Sequence, residues 1–76
     1  MKDLVEYMAK GLVDHPEAVE VRQFRGSHGT VYRLIVDPDD KGWVIGRQGR
    51  VANAMRTVLR VAASVQGQRR AILEIA

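Results

Sequence analysis

The sequence predicts an α+β domain in which helices cover one face of a three-stranded mixed sheet, and three observations predict it. Apolar residues recur at helical spacing ahead of His15-Pro16. Two β-rich runs then flank Gly26-Ser27-His28-Gly29. Finally, a helical start at Asp37-Pro38 is interrupted by Gly46-Arg47-Gln48-Gly49, followed by an alanine- and valine-rich helical pattern and a short apolar alternation.

In the first element, Leu4, Val5, Met8, Leu12 and Val13 share one helical face between Lys2 and Asp14, and His15-Pro16 ends the run because proline disfavours helical geometry in the residue before it. Tyr7 suits either core or surface. Val19–Arg25 and Thr30–Val36 are the first two strands, joined antiparallel by a hairpin of the longer class at Gly26–Gly29. Asp37 is placed to cap a helix, Pro38 fits its first position, and Asp39 and Asp40 complement the positive end of the dipole. Gly46 and Gly49 each weaken helix persistence by about 1 kcal/mol relative to alanine, so a four-residue loop is expected before helix resumes at Arg50. Gln66–Arg70 is a polar connection, and Ala71–Ile75 a last strand with Ala71, Leu73 and Ile75 on one face. The order is α-β-β-α-α-β. A right-handed crossover makes the third strand parallel to the second, which then lies in the middle of the sheet.

The 76 residues form a single domain, 1–76, of a size at which one core barely suffices and self-association helps. There is no cysteine, hence neither a disulfide framework nor a thiolate metal site. No signal run opens the chain and no stretch reaches the ~20 apolar residues of a membrane span, so a soluble, cytoplasmic protein is expected. Net charge is +3, distributed unevenly: residues 1–20 sum to −3, residues 21–40 to zero and residues 41–76 to +6. Positive charge gathers where the glycine loop lies, the footprint of a polyanion partner. His15 and His28 lack an acidic or second histidine partner at metal spacing and read as surface residues. No carboxylate pair, metal cluster or nucleophile triad can be assembled, so neither an enzyme nor a cofactor is expected.

A tight loop between two helices leaves backbone N–H groups at the second helix's start without intrahelical partners, and glycine lets a phosphate approach them. Arg47, Arg50 and, one turn earlier, Lys41 add positive charge there. In this context Val44-Ile45-Gly46-Arg47-Gln48-Gly49 resembles the signature loop of the KH domain, which clamps about four backbone nucleotides. The order of elements resembles the type II, bacterial form of that fold over essentially the whole chain, as in small bacterial single-KH RNA-binding proteins of the KhpA type.

The resemblance implies single-stranded RNA, or single-stranded DNA, held in a narrow groove between the glycine-loop helices and a wall made of Thr30–Val36 with Gln66–Arg70. Carried over residue by residue, Gly46 and Gly49 admit the backbone, and Arg47 and Gln48 point at phosphates or sugars. Val44, Ile45 and Ala52 form an apolar floor, while Lys41, Arg50 and Asn53 stand at the rim. The family usually has a larger aliphatic residue where Ala52 stands, so the floor is shallower here. Trp43 reads as core or interface packing before base stacking. The resemblance also implies an RNA chaperone or post-transcriptional regulator, as a homodimer or as a heterodimer with a second KH protein.

Helical angles place Ala52, Met55, Leu59, Ala62 and Ala63 toward the sheet and leave a second apolar stripe, Ala54, Val58, Val61 and Val65. Either the N-terminal helix covers this stripe or it is a protein–protein surface, most simply of a two-fold dimer. The alternative to an RNA-binding module is therefore an adaptor whose work is pairing with another protein.

Overall fold

The computed structural model describes residues 1–27, 29–68 and 70–76, with the Arg47 side chain also outside the description. The expectation for His28 therefore lies outside the described residues. The elements are α1 (Lys2–Leu12), a single 3-10 turn (Pro16–Ala18), β1 (Glu20–Gly26), β2 (Gly29–Ile35), α2 (Pro38–Val65) and β3 (Ala71–Ile75). The sheet order is β1-β2-β3, antiparallel between β1 and β2 and parallel between β2 and β3. This is the expected α+β architecture with β2 central. Pairing of β1 with β2 extends to Gly26 opposite Gly29, a tighter hairpin than the longer loop expected.

The two expected helices form one helical span, α2, with the glycine segment inside it. It is not a straight rod: 28 residues at ~1.5 Å each would extend about 42 Å, whereas the longest dimension of the domain is 34 Å. The change of direction occurs at Gln48 and Gly49, whose φ angles of 63° and 71° are left-handed. Asp37 caps the start as expected, its carboxylate accepting the Asp39 N–H at 2.9 Å.

The core lies between α1, α2 and one face of the sheet, with Val5, Tyr32, Leu34, Val44, Met55 and Leu59 fully buried. Burial of such side chains stabilises by ~1.5–3 kcal/mol each. In α1 the inward positions are Val5 and Ala9, while Leu12, the last residue of the helix, is exposed. Tyr7 is 80 % exposed. In α2, Ala52, Met55, Leu59 and Ala63 face the core as expected, with Ala62 half-buried. Among the described residues no helix is long and apolar enough to cross a membrane, and no group of His, Asp and Glu is arranged to hold a metal ion.

His15 does have an acidic partner, one too distant in sequence to be read there. Asp40, only 5 % exposed, accepts hydrogen bonds from the backbone N–H of Asp14 (3.2 Å) and of His15 (3.0 Å), and lies 3.1 Å from His15 Nδ1. One carboxylate thereby ties the end of α1 to the first turn of α2. The hydrogen bond to Asp40 raises the His15 imidazole above its ordinary 6.5. Its contribution is complete below that value and is lost as pH rises through the folded-state pKa. Burial pushes the Asp40 carboxyl upward, but the two amides and the imidazole outweigh it and hold the group below its ordinary 3.8. That contribution is complete above the ordinary value and is lost as pH falls through the depressed one. The link is thus fully formed between about pH 4 and pH 6. Thermal denaturation at about pH 5.5 and about pH 8 should show a greater loss of stability in wild type than in His15→Ala; equal losses would contradict the link.

Candidate nucleic-acid interface

The glycine segment acquires its shape from the left-handed step. Glycine adopts φ of 71° freely, but an L residue such as Gln48 adopts 63° at a cost of ~1–2 kcal/mol. Apart from its chain neighbours and the backbone of its own helix, a Cβ at Gly46 would meet no atom within 4 Å, so no other segment covers the backbone there. Beside Gly49 the Asn53 amide nitrogen stands 3.6 Å from where a Cβ would be. Asn53 is itself oriented: its Oδ1 accepts from Arg56 Nη1 at 3.1 Å, and Arg56 Nε donates to the Leu73 carbonyl at 3.4 Å.

These contacts define a groove of about 320 Å³. Ile45, Gly49, Ala52 and Arg56 form its α2 wall, and β3 from Ile72 to Ile75 forms the other. The strand opposite the glycine turn is therefore β3, not the expected Thr30–Val36, and the connection Gln66–Arg70 expected beside it lies outside this groove, with Gln68 and Arg70 lining a neighbouring cleft. The reason is topological: β2 is central and its inward residues Tyr32 and Leu34 are covered by helix, whereas β3 is the edge beside which α2 lies.

The structure brings Ile45, Gly49 and Ala52 together at the groove, with Asn53 joined to it through Arg56. Ile45 is 44 % exposed and offers an apolar surface, whereas Val44 is buried and supports that surface from beneath. Lys41, Gln48 and Arg50 are exposed near the turn without lining the groove. The Arg47 side chain lies outside the described residues. Trp43 is 50 % exposed, which removes the core alternative and leaves the interface one. Arg56 also lines the groove and was not among the expected site residues. The stripe of Ala54, Val58, Val61 and Val65 is exposed, so α1 does not cover it.

Residues 2–75 match the family described as KhpA/KhpB, KH domain. The chain is 47 % identical over 75 residues to the RNA-binding protein KhpA of Clostridium perfringens, covering 99 % of each. It is 45 % identical to that of Aquifex aeolicus, covering 99 % of this chain and 94 % of the relative. Its fold superposes on part of a crystal structure of an Aquifex aeolicus Era variant bound to GDP·AlF4⁻, with a TM-score of 0.67 at 19 % identity. That match covers 96 % of this chain and 28 % of the other.

Replacing Gln48 by glycine should remove the left-handed penalty and raise stability by about 0.5–1 kcal/mol after glycine's own entropy is subtracted. Gly49→Val should lower it. Urea midpoints of the two variants check this, and a midpoint for Gln48→Gly at or below wild type would show that position 48 carries no strain.

Proposed function

The chain belongs to the KhpA/KhpB KH-domain family, a non-enzymatic family, and we propose on that basis that it binds single-stranded RNA by clamping the strand's backbone at Gly46-Arg47-Gln48-Gly49. The observation that carries this reading is a backbone at Gly46 that no other segment covers, two residues before a left-handed step whose Gly49 lines an apolar groove. In this reading phosphates and sugars meet Gly46, Gly49 and the cations Lys41, Arg47 and Arg50, with Gln48 and Asn53 as neutral polar contacts. Bases lie over Ile45 and Ala52, with Val44 as support. A small residue at position 52 leaves the floor shallow, so base discrimination is weak and affinity is set mainly by charge.

The working form would be a dimer, homomeric or with a second KH protein, joined through Ala54, Val58, Val61 and Val65. Support comes from the exposure of this stripe on the folded domain, 82 % at Val65. A contact of about four nucleotides is short, and a second copy on the same strand multiplies affinity without any new type of contact. Such a protein suits work as an RNA chaperone or post-transcriptional regulator in the cytoplasm. The same stripe favours a second reading, an adaptor whose principal partner is protein.

Two variants separate these readings. Arg47→Asp combined with Gln48→Asp should retain the fold, since aspartate tolerates left-handed backbone. At low salt it should weaken single-stranded RNA binding at least ~10-fold, because it turns attraction at the turn into repulsion; unchanged binding would favour the adaptor. Val61→Glu should convert a dimer to a monomer by light scattering, and an unchanged dimer mass would remove the stripe from the interface.

A further inference from the structure

The groove at the glycine turn does not end there. A second and larger cleft, of about 560 Å³, shares Arg56, Ile72 and Leu73 with it and continues along the C-terminal half of α2. At its far end Gln68 and Arg70 are shared with a third opening, of about 340 Å³, against the β1–β2 hairpin at Arg25 and Gly29. We propose that this continuous cleft is an extended phosphate track, in which Arg60 and Arg70, with Arg25 at its exit, hold nucleotides of the same RNA strand beyond those at the glycine turn. This rests on the RNA-binding reading above.

The track is built from fixed parts. Arg56, Arg60 and Ser64 follow one another at four-residue spacing, which aligns them on one face of α2 over about 12 Å of axis. That stretch is long enough to run beside more than one phosphate of a single strand. Arg70 is held by its backbone: its carbonyl accepts the Thr30 N–H at 2.8 Å. It packs so closely on Gly29 that a Cβ there would lie 2.6 Å from the Arg70 carbonyl oxygen. Gln68 is anchored by the Tyr32 hydroxyl at 3.4 Å.

Charge points the same way. Among the described residues, none of Arg25, Arg56, Arg60 and Arg70 has a carboxylate at ion-pair distance, and Glu74 on β3 is already engaged by Arg33 at 2.9 Å. A cleft lined by exposed guanidinium groups, whose one acidic lining residue, Glu74, is paired with Arg33, attracts a polyanion. Its slot-like continuation from a single-strand groove suits a nucleic-acid strand better than a folded acidic surface.

The test compares homopolymeric single-stranded RNAs of about four and about eight nucleotides, bracketing the length of a single KH contact. Wild type should bind the longer strand more tightly by more than the added statistical registers account for. Arg60→Gln with Arg70→Gln should bind the short strand as wild type does and lose that gain. Losing two phosphate contacts should remove about sevenfold from the fall in long-strand affinity between ~50 and ~200 mM salt. Arg60→Lys with Arg70→Lys, which keeps the charge, should retain most of the gain; if either pair fails to fold, Arg25→Gln should lose a smaller part of it.

Several results overturn the track while leaving the glycine-turn clamp standing: no length gain in wild type, a gain that survives in the glutamine variant, or equal weakening of short and long strands. A polyglutamate peptide bound as tightly, with the same dependence on Arg60 and Arg70, would instead assign the cleft to an acidic protein segment. No binding of either RNA by wild type would overturn the clamp and the track together.

Discussion

Two consecutive left-handed residues inside a helix are the constraint from which the rest of this molecule follows. An uninterrupted α2 would outreach the domain. The step at Gln48-Gly49 lets its N-terminal part start from the Asp37 cap and its C-terminal part lie against the sheet, burying Met55 and Leu59. The geometry that folds the chain also leaves the backbone at Gly46 uncovered by any other segment and sets Ile45 and Ala52 beside β3. A shape required for packing and a shape suited to holding a strand of phosphates coincide in four residues. Strain at Gln48 is one local cost of that coincidence.

Electrostatics divides the domain in the same direction. Glu6 of α1 is paired with Lys10 at 2.8 Å, and the buried Asp40 is occupied by the Asp14 and His15 amides and the His15 ring. Glu74, the acid of β3, is spent on Arg33, which also lies 5.2 Å over the Phe24 ring. Among the described residues, Arg50, Arg56, Arg60 and Arg70 are thus left exposed without a carboxylate at ion-pair distance, so net charge understates the positive potential along that edge.

Much of this was legible in the sequence because it depends on neighbours in the chain. The Asp37 cap, the proline at the helix start, the alternation of Thr30–Val36 and the core face of Ala52, Met55, Leu59 and Ala63 are all set within a few residues. The glycine pair likewise announced a break, although not that the break would be two left-handed residues within a single helical span. What could not be read depends on how distant segments meet. The choice of β3 as the groove's second wall follows from which sheet edge α2 lies beside. The Asp40 link joins residues 25 and 26 positions apart. Arg56 became a groove residue only once Leu73 and Asn53 stood beside it. Of the two placements read for Trp43, core and interface, only the first fails, because Val44 takes the buried position.

Gly29 has a consequence of a different kind. The atoms a side chain would strike there belong largely to the main chain of Arg70, which cannot swing aside as a flexible side chain does, and its φ of 140° is itself one that glycine favours. The position therefore admits almost no chemical variety, and any lengthening or redecoration of the hairpin has to be absorbed on the Ser27 side of its tip. Anyone grafting a label or a recognition peptide onto this scaffold would place it before Gly29 and never at it.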